Sequence, residues 1–102
     1  MSRKETDIDL LKKIREHVRK GTYFLAQHAI NRKIERAINL PDILFVLEFG
    51  KREKIKDTFD IRRQAWKYAI RGKTTRGVDL RVIVAFEEAM VIITVMKVRE
   101  KL

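Results

Sequence analysis

The chain has 102 residues and 12.1 kDa, which limits it to one domain with a single modest core. Lys and Arg number 24 against 14 Asp and Glu, a net charge of +10, and cysteine is absent. Disulfide scaffolds, thiolate metal sites, cysteine nucleophiles and redox roles are thereby excluded. Residues 1–7 form a charged start with no apolar run behind it, and no segment reaches the roughly 20 apolar residues of a membrane span. A small, basic, cytoplasmic domain is expected.

Thr6 followed by Asp9 reads as a helix start. Ile8, Leu11, Ile14 and Val18 recur at helical spacing, and Gly21 is placed to end a helix over Asp7 to Lys20. A second helix is predicted from Ala26 to Ala37, with Ala29, Ile30, Ile34 and Ala37 on one stripe. His28, Arg32 and Arg36 form another stripe at four-residue steps. Asn39 and Pro41 mark a new start, Ile43 to Leu47 reads as a short buried helix, and Gly50 terminates it.

From Lys51 the period changes to two. Lys54 to Asp60 is a weak strand candidate. Ala65 to Arg71 alternates, with Trp66, Tyr68 and Ile70 on one face. A polar loop from Gly72 to Gly77 leads to a strand from Leu80 to Phe86, and Met90 to Val98 is the strongest strand of the chain. Three helices followed by three or four antiparallel strands imply an α+β fold, the helices covering one sheet face.

The charge excess is local. Residues 51–78 hold ten Lys and Arg against three Asp and Glu, an excess of seven. Such a concentrated field favours a polyanion, nucleic acid above all, through counterion release. Lys51, Arg52, Lys54, Arg62, Arg63, Lys67, Arg71, Lys73 and Arg76 are the predicted RNA-binding residues. Trp66 and Tyr68 lie among them and could stack on bases, although strand aromatics are more often packed.

His17 sits in a charged helix stretch and reads as a solvated surface residue. His28 shares its helix face with two arginines. An imidazole can act as a general base, and paired guanidiniums can hold a phosphate and stabilise charge building on it. The competing reading, equally weighted, is an exposed polar helix side. Two separated histidines make a poor metal site, no phosphate loop or dinucleotide fingerprint is present, and no cofactor is expected. Thr74 and Thr75 lack identifiable partners. Thr94 interrupts an apolar strand, either innocuously or to present its hydroxyl to a cleft.

The run Tyr23-Phe24-Leu25-Ala26-Gln27-His28-Ala29, continued by Arg32, Arg36 and Ile38, resembles a bacterial and archaeal domain family of unassigned function. The stretch Gly77 to Val84 and the run Ile92-Ile93-Thr94-Val95 resemble its second half, so the likeness covers about Thr22 to Lys97 and leaves the first helix outside. That family is grouped with RelE/ParE-like toxins and colicin-type ribonucleases. The resemblance implies metal-independent RNA cleavage by 2′-hydroxyl attack, within a toxin–antitoxin pair whose partner is an acidic antitoxin. By the same resemblance His28, Arg32, Arg36 and Thr94 are the catalytic candidates, and Arg71 is added from the basic segment. The chain departs from the family pattern at Ala37, where Gly is usual, at Asn39, where a small hydroxyl residue is usual, and at Met96, where an aromatic often stands. A non-catalytic nucleic-acid-binding module accounts for the charge equally well, and a protein-interaction domain is a third reading.

Overall fold

A computed structural model describes residues 3–99. Helix α1 (Asp7–Lys20) begins where the Thr6 hydroxyl accepts from the Asp9 N–H at 3.4 Å. It ends at Gly21, whose φ of 71° is the left-handed conformation that glycine adopts without a Cβ penalty. Leu10 and Ile14 are fully buried, and burial of each such side chain contributes about 1.5–3 kcal/mol.

Strand β1 (Tyr23–Leu25) leads directly into α2 (Gln27–Glu35), and α3 spans Leu40–Phe49. The Asn39 side chain accepts from the Asp42 N–H at 2.8 Å, with Pro41 in the first turn. Strand β2 (Lys51–Arg52), a 3-10 turn (Lys54–Lys56) and β3 (Thr58–Asp60) precede the long strands β4 (Ala65–Lys73), β5 (Asp79–Phe86) and β6 (Met90–Lys97).

The sheet has six strands in the order β1-β6-β5-β4-β2, with β3 also paired to β4. It is mixed, because β1 runs parallel to β6 while the other pairs are antiparallel. The α+β class therefore stands, and the purely antiparallel three- or four-stranded sheet is corrected. β1 escaped the periodicity because it is three residues long, too short to display alternation. The expected strand over Lys54 to Asp60 divides into the 3-10 turn and β3. Between β2 and β3 the open edge of β4 is completed locally: Ala69 donates its N–H to Asp57 Oδ1 at 3.0 Å, and its carbonyl accepts from Glu53 N–H at 2.8 Å.

One core joins helices and sheet. Leu10, Ile14, Ile43, Val46 and Leu47 pack with Tyr68, Ile70, Val82, Val84, Ile92 and Val95. Alternation then sends Arg71, Arg81, Ile83 and Thr94 to the opposite sheet face. Gly50 joins α3 to β2 where a Cβ would clash with Val46 O and lie 2.7 Å from Arg71 O. Only glycine permits that approach.

Candidate functional site

Helix α2 carries the histidine–arginine stripe, and its position follows from how it leaves the sheet. The N–H of Ala26 donates to Ile92 O at 2.9 Å, so the chain turns out of the sheet while still bonded to β6. Fully buried Ala29 lets the helix lie close against that strand. His28 is exposed on the first turn. The Arg32 Nε–H donates to His28 Nε2 at 3.4 Å, and Arg32 Nη1 pairs with Glu35 Oε2 at 2.9 Å. His28 Nε2 thus serves as acceptor, with its lone pair turned along the stripe.

Arg36 closes the helix and faces inward to β6. Its Nη1 donates to Val95 O at 3.1 Å, which ties the end of α2 to the residue after Thr94. Thr94 is half-buried opposite Ile83, beside an irregularity in the β5–β6 register that leaves Ile93 unpaired. Among the described residues, the Thr94 hydroxyl makes no hydrogen bond to His28, Arg32 or Arg36. The structure therefore brings His28 and Arg32 into contact, fastens Arg36 to the strand, and turns Thr94 to the sheet face away from α2.

The basic segment separates into two groups. The Arg52 side chain is 3% exposed; its guanidinium reaches Asp57 Oδ2 at 2.8 Å, Asp7 Oδ1 at 2.6 Å and the carbonyl of Glu5 at 2.8 Å. Burial pulls its pKa down, but the hydrogen bonds to Asp57 and Asp7 outweigh that and hold it above the ordinary arginine value. As a predicted RNA contact Arg52 is corrected: a cation buried on two carboxylates is a structural element. Arg71 is held by Asp79 at 2.7 Å and Glu53 at 3.3 Å, Arg76 by Asp42 at 2.6 Å, and Arg63 by Glu87 at 2.8 Å and Asp60 at 3.6 Å. The Asp79 hydrogen bond raises the Arg71 pKa further, against its own desolvation.

Lys51, Lys54, Arg62, Lys67 and Lys73 belong to the second group, with no carboxylate partner among the described residues. Lys67 and Arg71 share the sheet face that no helix covers, while Lys51 stands opposite Arg71 in register. Arg81 lies on the same face, paired with Arg71 in register and bonded to Glu53. It was missed because it lies outside the charge-rich segment, although two-residue alternation from Leu80 would have placed it there.

The aromatics and His17 are structural. Tyr68 is buried, and its hydroxyl accepts from Glu5 N–H at 2.8 Å. Trp66 is half-buried, edge-on to Phe59 at 5.6 Å, with Lys4 Nζ 4.5 Å from its ring. His17, expected in solvent, is half-buried, with Nδ1 2.7 Å from Thr22 Oγ1 and its ring 5.7 Å from Phe86. Thr74 is also buried, accepting from the N–H groups of Arg76 and Val78 to build the β4–β5 turn. Among the described residues no group of three or more His, Asp or Glu side chains is arranged to hold a metal ion, and no helix is long and apolar enough to cross a membrane.

Three helices on one face of a mixed sheet, with a cationic stripe along the edge helix, define a small basic α+β domain. The chain belongs to a family of uncharacterised domains: the family model described as Domain of unknown function (DUF4258) matches residues 25–97, which contain His28, Arg32, Arg36 and Thr94 and leave α1 outside. Searches of curated proteins and of solved structures gave no match.

Proposed function

We propose that the domain is a metal-independent endoribonuclease, of the kind found as the toxin of a toxin–antitoxin pair and acting in the cytoplasm. The observation that carries this reading is the exposed His28 imidazole with Arg32 in contact and Arg36 one helical step further along the same stripe. As Arg32 turns from His28 Nε2 to the phosphate, the freed lone pair takes the proton of a ribose 2′-hydroxyl, whose oxygen attacks the adjacent phosphorus. The bond to the 5′-oxygen breaks, that oxygen takes up a proton from water, and a 2′,3′-cyclic phosphate remains. Arg32 neutralises charge on the non-bridging oxygens, which develops in the transition state. Arg36 borders the phosphate from the end of α2, and the unpaired Lys51, Lys54, Arg62, Lys67 and Lys73 draw RNA, free or on the ribosome, toward the domain. An acidic antitoxin segment is the complementary protein partner. The resemblance to a family grouped with RelE/ParE-like and colicin-type ribonucleases supports the same reading.

Incubation with end-labelled single-stranded RNA in chelator tests it. Fragments ending in cyclic phosphate support the ribonuclease. A second reading, a nucleic-acid-binding module without catalysis, is favoured by one observation: among the described residues Thr94 makes no hydrogen bond to the His28–Arg32 pair, while five cations of the basic segment have no carboxylate partner. Under it RNA is bound with strong salt dependence and recovered intact.

A further inference from the structure

The end of α2 and the end of β6 border an open cleft of about 590 Å³, lined by Glu35, Arg36, Ala37, Met96, Lys97 and Arg99. That volume lies within the roughly 300–1,000 Å³ at which small-molecule sites occur. The opening has a clear origin. β1 pairs with β6 only as far as Ile92, while β6 continues to Lys97, and the chain after α2 reverses through Ala37 at φ 53°. The space beside the unpaired end of β6 is therefore bounded by side chains from two elements.

Its electrostatics favour an anion. Glu35 is already neutralised by Arg32 at 2.9 Å. Arg36 spends Nη1 on Val95 O, while Lys97 and Arg99 are exposed and have no carboxylate partner among the described residues. The negative end of α2 opposes that charge only in part, because two of its last carbonyls are already taken. Ala37 N–H takes Ile34 O at 3.3 Å, and Ile38 N–H takes Lys33 O at 2.9 Å. Ala37 and Met96 add apolar surface, and the unbranched Met96 thioether adapts to a flat ring. Its Sδ lies 3.6 Å from Arg81 Nη1, which positions it from behind.

We propose that this cleft binds one nucleotide of the RNA, its phosphate on Arg36, Lys97 and Arg99 and its base against Met96. The inference rests on the reading of the α2 stripe as RNA-directed: a strand running from His28 past Arg32 enters the cleft at Arg36. Met96 is then the residue that sets base preference.

The test is binding, which is separate from cleavage. The four nucleoside 3′,5′-bisphosphates and inorganic phosphate are titrated separately into the full chain, with backbone amide shifts as the readout. At least one bisphosphate is expected to bind saturably, at least tenfold more tightly than phosphate, with shifts centred on Ala37, Met96 and Lys97. Met96→Trp, which fills the cleft, and the double variant Lys97→Ala/Arg99→Ala, which keeps its shape, should each weaken binding at least tenfold, with folding checked from the amide spectrum. Phosphate binding as tightly as every bisphosphate, shifts confined to Lys51–Lys73, or insensitivity to both variants would overturn the proposal. Saturable binding here with RNA left uncut would keep the cleft and remove the ribonuclease; cleavage without binding here would do the reverse.

Discussion

The Nε–H of Arg32 is directed at Nε2 of His28 across 3.4 Å, while Nη1 of the same guanidinium is held 2.9 Å from Glu35. One arginine thus orients the imidazole and is itself oriented, all within two turns of an exposed helix. Lysine in its place keeps the charge but loses the planar fork. Arg32→Lys is expected to lower single-turnover RNA cleavage about 10²-fold, with thermal stability close to the parent.

Arg36 does a different job from Arg32, because its guanidinium binds a strand carbonyl and not another stripe residue. Arg36→Gln removes a charge-assisted bond that joins α2 to β6, a loss of about 1.5–3 kcal/mol. Equilibrium denaturation should show that loss, and hydrogen exchange should show faster opening of α2. The His28→Ala variant should show neither.

Ala37 occupies the left-handed position after α2, with φ 53°, in a turn where Ile38 N–H closes back on Lys33 O at 2.9 Å. A Cβ there costs about 1–2 kcal/mol, part of which glycine returns through its greater freedom in the unfolded chain. Ala37→Gly is therefore expected to stabilise the domain by about 0.5–1 kcal/mol, read as a higher denaturation midpoint with an unchanged m-value.

The basic segment divides by partner, and the division is measurable. Arg52→Ala leaves the buried Asp57 carboxylate, among the described residues, with only the Lys4 cation 4.0 Å away, and should cost about 3 kcal/mol. Lys51→Ala, Lys67→Ala and Lys73→Ala should stay within about 0.5 kcal/mol of the parent. Each should instead weaken RNA binding and reduce the slope of log affinity against log salt by about 0.7, as measured by fluorescence anisotropy.

Acid stability follows from the outer sheet face. The hydrogen bond from Arg81 holds Glu53 below its ordinary carboxylate pKa despite burial, and the Arg71 hydrogen bond does the same for Asp79. A carboxylate depressed on folding contributes stability above its unfolded value, and that contribution disappears as pH falls through the folded value. The melting temperature should accordingly hold above about pH 5 and drop below about pH 4. Glu53→Gln should melt lower than the parent at neutral pH and approach it in acid.

How much of this was legible beforehand depends on what each residue answers to. α1 was readable to its limits because Thr6, the apolar spacing and Gly21 are local signals that tertiary packing did not override. β5 was readable because Leu80, Val82 and Val84 alternate inward, and β6 because Met90 to Met96 is an almost unbroken apolar, β-branched run. β1 was not, since its strand character comes from pairing with Met90 to Ile92, far along the chain. At the site, the four-residue steps of His28, Arg32 and Arg36 announced a shared face. They could not announce that Arg36 would be claimed by Val95 O. Nor could charge counting separate Arg52 from Lys51, since the carboxylates of Asp7 and Asp57 reach Arg52 only through the fold.

The central claim is that His28 performs chemistry on RNA rather than merely facing it. The direct measurement is the cleavage rate and RNA affinity of the parent and His28→Ala, side by side in chelator. The account predicts a rate at least about 10²-fold lower for the variant, with affinity and melting temperature unchanged. Equal cleavage by both proteins, or intact RNA with both in the presence and absence of ribosomes, would contradict it.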